Sequence, residues 1–297
     1  MNTSTSPHVP WPSRLLRATR SKAGEYRRAA RIAAEVARRH DTAAERARPD
    51  FVIIGAQKAG TTSLFNYLAQ HPLVQRALRK EVHYFDNHYA NGEHWYRSHF
   101  PIEAELRAAG ALTGEATPYY MAHPHALQRI RSDLPDAKLI AVLRDPVERA
   151  VSHYFHEIRH GNEHLSLTAA LETEDDRISP ELLRMTENPD YKSATHQRFT
   201  YLARSRYIEQ LRPLLKEGAT HELLILRAED LFADPVATMQ KAFEFLGLGS
   251  NGVDLRFPVL NKGRRAPISA DEKALLDEKL RDATAEFTKA TGISWDD

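Results

Sequence analysis

The stretch PDFVIIGAQKAGTTSLFNYL (Pro49–Leu68) decides the fold. Phe51–Ile54 is an apolar run rich in β-branched residues and too short for a helix, so it predicts a buried strand. Thr61, Thr62 and Ser63 then supply cap chemistry. Leu64, Tyr67 and Leu68 recur at helical spacing until His71-Pro72 stops the helix. In between, Gly55 and Gly60 keep the glycine spacing of a Walker A loop, G-x-x-x-x-G-K-[ST], but Thr61 stands where that loop has its lysine, and Lys58 lies inside the turn. Free backbone N–H groups and the positive end of the helix dipole make such a turn an anion site. The displaced lysine argues against a triphosphate, because ATP and GTP loops set the lysine after the second glycine on the β- and γ-phosphates.

Working outward, Lys138–Leu143 predicts a second buried strand. It ends in Arg144-Asp145-Pro146, where Asp145 is an N-cap and Pro146 the first residue of a helix running to His160. Glu222–Leu226 predicts a third strand, followed by a helix Pro235–Leu246 that Gly247 closes. Strands alternating with helices give an α/β class: a P-loop-like, three-layer fold with a mainly parallel central sheet flanked by helices and ligands beyond the carboxyl ends of the strands. Glu174–Tyr191, acidic and carrying Pro180 and Pro189, reads as a loop or lid.

At 297 residues and 42% hydrophobic, one large domain with an appendage is the simplest division. Residues 1–48 hold eleven Arg/Lys against four acids, a charge of 11 − 4 = +7, which leaves +1 − 7 = −6 for residues 49–297. The first segment reads as a basic leader, helical or partly disordered, with a thin apolar stripe of Leu15, Leu16, Ile32 and Val36. Weak contact with a membrane surface or nucleic acid is the functional alternative to a solvated leader. No apolar run is long enough for a signal peptide or a membrane span, and without cysteine there is no disulfide, thiolate metal site or Cys nucleophile. A cytoplasmic location is expected.

The second motif is Leu143-Arg-Asp-Pro-Val-Glu-Arg-Ala-Val-Ser-His-Tyr154. Arg144 leaves the sheet at its carboxyl edge and Ser152 lies in the next helix, so both can face one crevice, and an arginine fork suits a terminal phosphate. Together with Gly55–Ser63 this segment resembles the nucleotide-dependent sulfotransferases, and closely their heparan sulfate branch. The resemblance implies 3′-phosphoadenosine 5′-phosphosulfate as donor, adenosine 3′,5′-bisphosphate as product and no metal. It assigns Lys58, Gly60, Thr61, Thr62 and Ser63 to the 5′-phosphosulfate, and Arg144 and Ser152 to the 3′-phosphate. Asn261–Pro267 resembles the branch's late Lys-Gly-Arg loop, which implies Lys262, Gly263 and Arg264 near the same phosphate; a generic basic loop is the plainer reading.

Arg79-Lys-Glu-Val-His-Tyr-Phe-Asp86 resembles the branch's Lys-Glu-x-His-x-Phe-Asp segment, whose glutamate is the general base. The role carries over to Glu81, with Lys58 steadying the leaving oxygen and His83 orienting the carboxylate or touching the transferring group. Lys80 holds the acceptor or the donor, and Asp86 falls on the acceptor side. So do Thr117 and Tyr119, whose segment Gly114–Tyr120 resembles the family's Thr-Pro-x-Tyr; structural packing serves those two equally well. His156, His160 and His164 recur at four-residue spacing, but Gly161 is expected to end the helix before His164.

The resemblance runs from Phe51 to Pro267 and lacks the secretory enzymes' anchor and disulfide. It therefore implies a soluble, cytoplasmic enzyme of bacterial type, with 49–297 as its sulfotransferase domain. The expected acceptor is a hydroxyl of a glycan, glycolipid or secondary metabolite, with an amine left open and no nucleic-acid partner. The rivals are a P-loop kinase of small molecules and a binding module built on the basic arm.

Overall fold

The computed structural model describes residues 11–216, 222–249, 253–258 and 266–296, with side chains from Gly24 onward except Lys216. Five strands form one sheet: β1 Phe51–Gly55, β2 Val74–Arg76, β3 Leu112–Ala116, β4 Lys138–Leu143 and β5 Leu223–Arg227. Their order is β2-β3-β1-β4-β5 and every neighbouring pair is parallel. Of the three strands expected from apolar runs, β1 is central, β4 adjoins it and β5 forms one edge. Phe51–Ile54 is fully buried, each side chain contributing about 1.5–3 kcal/mol by leaving water. β2 and β3 carry no such run. β3 reads Leu-Thr-Gly-Glu-Ala and depends on its neighbours: Phe51 lies opposite Gly114, and a Cβ on Gly114 would come within 2.5 Å of the Phe51 ring.

Helix Pro146–His160 starts as expected. Asp145 accepts from the Glu148 N–H at 2.7 Å, Pro146 opens the first turn, and Gly161 ends the helix in the left-handed region at φ 71°. Gly247 closes helix Pro235–Leu246 in the same way at φ 77°. The lid expected over Glu174–Tyr191 is corrected: Glu174–Glu187 is a helix. Glu174, Asp175 and Asp176 sit in its first turn, where they complement the dipole, and Ile178 and Met185 are buried on one face. Pro180 lies inside it at the cost of one backbone bond.

The basic arm is helical over Trp11–Arg39, and residues 24–31 are exposed on all sides. It joins the body before Pro49. Val36, Ala43 and Ala47 are buried, the Arg46 guanidinium donates to the Phe100 carbonyl at 2.9 Å, and Arg97 donates to the Arg46 carbonyl at 2.6 Å. Among the described residues no helix is long and apolar enough to cross a membrane.

Candidate active site

The turn after β1 delivers its groups to the carboxyl edge of the sheet. Gly60 has φ 103°, and a Cβ there would lie 3.1 Å from the Phe232 ring, so glycine is required on both counts. Thr61 and Ser63 are buried in the first turn of helix Thr61–Leu68, and the Ser63 hydroxyl has no partner. A buried, unsatisfied hydroxyl at a helix N-terminus fits an oxyanion that would complete it. Gln57 in the same turn accepts from the buried Arg204 guanidinium. Lys58 Nζ stands 3.4 Å from His156 Nδ1. Burial, and then the Lys58 charge, pull the His156 imidazole down to about 4, so it is neutral and accepts.

That contact joins the loop to helix Pro146–His160. Ser152 and His156 are four residues apart and share a face of the helix. Arg144 sits at the end of β4, with Nη2 2.8 Å from Glu148 Oε2 and its carbonyl receiving the Tyr207 hydroxyl at 2.8 Å. Lys58 and Arg144 follow the carboxyl ends of neighbouring strands β1 and β4, and Ser152 lies on the helix that starts there. Lys262, Gly263 and Arg264 lie outside the described residues.

The segment Lys80–Asp86 meets the same carboxyl edge of the sheet, where the Glu81 N–H goes to the carbonyl of Ala116 at the end of β3 at 3.0 Å. Val82, Tyr84 and Phe85 point inward and are buried, and Tyr84 stacks on Tyr96 with ring centres 4.4 Å apart; Glu81 and His83 are left at the edge. Lys80 Nζ is 2.7 Å from Glu81 Oε1, and His83 Nε2 is 3.5 Å from Glu81 Oε2. The other ring nitrogen, His83 Nδ1, is 2.6 Å from Asp86 Oδ2. Burial pushes the Glu81 carboxyl up, but His83 and Lys80 outweigh it and hold the group down to about 2. Burial works against the His83 cation, and Asp86 with Glu81 outweigh that and raise it to about 9. At neutral pH the pair is a carboxylate against an imidazolium. The Glu81 carboxylate works against the lowering of His156.

Among the described residues, Lys58, Glu81 and His83 are the non-glycine residues in the left-handed region, with φ of 74°, 62° and 60°. Each such residue costs about 1–3 kcal/mol, a cost that persists where the surroundings over-determine the backbone, as at functional sites.

Three residues expected on the acceptor side are placed behind the edge. Asp86 is buried beneath His83, Thr117 is fully buried with its hydroxyl on Glu115, and Tyr119 is buried with its hydroxyl on His196 at 2.8 Å. Lys80 is at the edge, bound to Glu81. Sequence reasoning missed Glu115 and the contact of His156 with Lys58. The first is one acidic residue in an unrecognised strand, and the second was visible only as a histidine spacing. His156 and His160 stack, with ring centres 4.2 Å apart, and no group of three His, Asp or Glu that could hold a metal occurs among the described residues.

The sulfotransferase domain family model matches residues 48–292. Heparan sulfate glucosamine 3-O-sulfotransferase 3A1 of Mus musculus is 34% identical over 200 residues, 67% of this chain and 46% of that protein. The membrane-associated sulfotransferase kil1 of Dictyostelium discoideum is 45% identical over 111 residues, 37% of this chain and 23% of that protein. The chain thus spans less than half the length of these curated relatives. Among solved structures, a sulfotransferase from Alicyclobacillus acidocaldarius superposes with a TM-score of 0.63 at 27% identity, covering 84% of this chain and 97% of that one. With a family model matched over most of its length and a parallel sheet that presents the same two motifs at one edge, the chain belongs to the sulfotransferase domain family.

Proposed function

We propose that the chain moves a sulfuryl group from 3′-phosphoadenosine 5′-phosphosulfate to a hydroxyl of a glycan, glycolipid or metabolite, releasing adenosine 3′,5′-bisphosphate. The observation that carries this reading is the coincidence of strain and chemistry: among the described residues, the non-glycine residues held in left-handed backbone are Lys58, Glu81 and His83, a cation, a carboxylate and its partner in segments that meet the carboxyl edge of one sheet. The donor is a substrate that supplies a sulfuryl group already linked to a good leaving phosphate. The turn Gly55–Ser63 holds its 5′ end, where the Ser63 hydroxyl gains the partner it lacks. Arg144 and Ser152 hold the 3′-phosphate; Arg144 contacts Glu148 through Nη2, and a guanidinium carries further donors in a fork.

Glu81 removes the acceptor's hydroxyl proton as the acceptor oxygen bonds to sulfur. The bond from sulfur to the bridging oxygen breaks, and its electron pair stays on that oxygen, beside the Lys58 ammonium. His83 does not compete for the proton, because each of its ring nitrogens already faces a carboxylate. A group held down to about 2 is a weak base. An anionic donor draws on the same two cations, Lys80 and His83, and so returns proton affinity to Glu81 when the substrate is in place. Asp86 acts by fixing the ring of His83.

Calorimetry tests the donor site. Adenosine 3′,5′-bisphosphate is expected to bind far more tightly than AMP, and Arg144→Ala to weaken it by about 2 kcal/mol, roughly thirtyfold, with AMP unaffected. Labelled donor should transfer to an acceptor panel without added metal. Equal affinity for the two nucleotides would sink the proposal.

A further inference from the structure

We propose that Glu115 is a positioning residue for the reaction, the buried carboxylate that sets the hydrogen-bond direction of the hydroxyls on which the catalytic turn rests. This inference rests on the reading of Glu81 as the base. Glu115 lies in β3 opposite Val52 of β1 and is fully buried. Its Oε1 accepts from the Tyr96 hydroxyl at 2.7 Å and the Tyr120 hydroxyl at 3.0 Å, and its Oε2 accepts from the Thr117 hydroxyl at 2.8 Å. Two of those hydroxyls reach on to the catalytic turn. Tyr120 accepts the backbone N–H of Tyr84 at 2.9 Å, and Thr117 accepts that of His83 at 3.4 Å. The N–H of Glu81 goes to the carbonyl of Ala116, next to Glu115 in the strand, at 3.0 Å.

A hydroxyl has one proton. By taking those of Thr117 and Tyr120, an acceptor-only carboxylate leaves both oxygens with lone pairs turned toward the N–H groups of residues 83 and 84. The left-handed conformations of Glu81 and His83, unfavourable by themselves, are thereby held from the sheet side. An amide at position 115 has the same shape but must present N–H to one side. Whichever hydroxyl it meets is freed to aim its own proton at a backbone donor, and the turn loses that support.

The test uses the full chain carrying Glu115→Gln, Thr117→Val or both, with Glu81→Gln as a control. Binding of adenosine 3′,5′-bisphosphate is expected to stay within about twofold, because the donor loop is not part of this network. Turnover should fall about 10- to 100-fold in each single variant, the range expected for slight misplacement of a reacting group. The double variant should be no worse than the poorer single, since both act through one chain of bonds. Titration of His83 by NMR gives a readout independent of activity: as the turn relaxes away from Asp86 and Glu81, its value should drop from about 9 toward 6.5. Unchanged turnover and His83 titration in Glu115→Gln, or additive losses in the double variant, would overturn the proposal. If Glu115→Gln does not fold, Thr117→Val decides by the same two measurements. Wild-type transfer by Glu81→Gln would remove the base assignment alone, and the His83 titration would still judge Glu115.

Discussion

Replacing Glu81 by glutamine separates chemistry from binding at one atom. The amide keeps the length of the side chain and one oxygen for Lys80, which stands 2.7 Å away, but it cannot take a proton from the acceptor. Loss of a general base costs about 10²–10⁴ in rate, or about 2.7–5.4 kcal/mol in the barrier at 1.36 kcal/mol per decade. Folding stability should barely change, because Glu81 is 42% exposed and water screens its ion pairs. His83 loses one of its two carboxylates and keeps Asp86 at 2.6 Å, so it remains a cation at neutral pH. Single-turnover transfer from labelled donor, run beside calorimetry with adenosine 3′,5′-bisphosphate, reads both quantities from one preparation. Transfer within tenfold of wild type by a variant that binds the nucleotide normally would refute the argument. With both ring nitrogens of His83 facing carboxylates, the proton would then need an acceptor outside this segment.

Two further outcomes are expected. In the free protein Glu81 is ionised above about pH 2 and His83 loses its proton as pH rises through about 9, so kcat/KM should be flat through neutrality and fall on the alkaline side. Asp86→Asn removes the nearer carboxylate and should move that fall toward neutral pH; an unmoved fall in the pH–rate profile would assign it to another group. Gly60→Ala places a side chain at φ 103° against the Phe232 ring and should cost about 1–2 kcal/mol of stability along with donor affinity; an unchanged melting temperature and dissociation constant would show that the turn can relax.

The sheet was legible where burial on both faces leaves an unbroken apolar run, as in β1 and β4, and in β5, a half-buried edge strand that still reads Leu-Leu-Ile-Leu. It was illegible in β2, a three-residue edge strand with Gln75 and Arg76 exposed, and in β3, where Gly114 and Glu115 are poor strand formers. Those positions answer to tertiary demands, room for the Phe51 ring and an acceptor for three hydroxyls. Pro180 hid a helix because local propensity carries no record of the face that buries Ile178 and Met185. In the site, Lys58, Glu81, His83 and Arg144 sit within contiguous segments and were nameable. Glu115 was not, because Tyr96, Thr117 and Tyr120 meet it from separate stretches of chain. Thr117 and Tyr119 had the right segment, and only the structure shows that their side chains turn inward.

The catalytic turn is anchored entirely from behind, by Val82, Tyr84 and Phe85 in the aromatic core and by hydroxyls fixed on β3. Lys80 and His83 touch Glu81 from the open side and set its charge, while the course of the backbone is set from within. The façade of the turn can be rewritten while its masonry, the aromatic core and β3, stays in place.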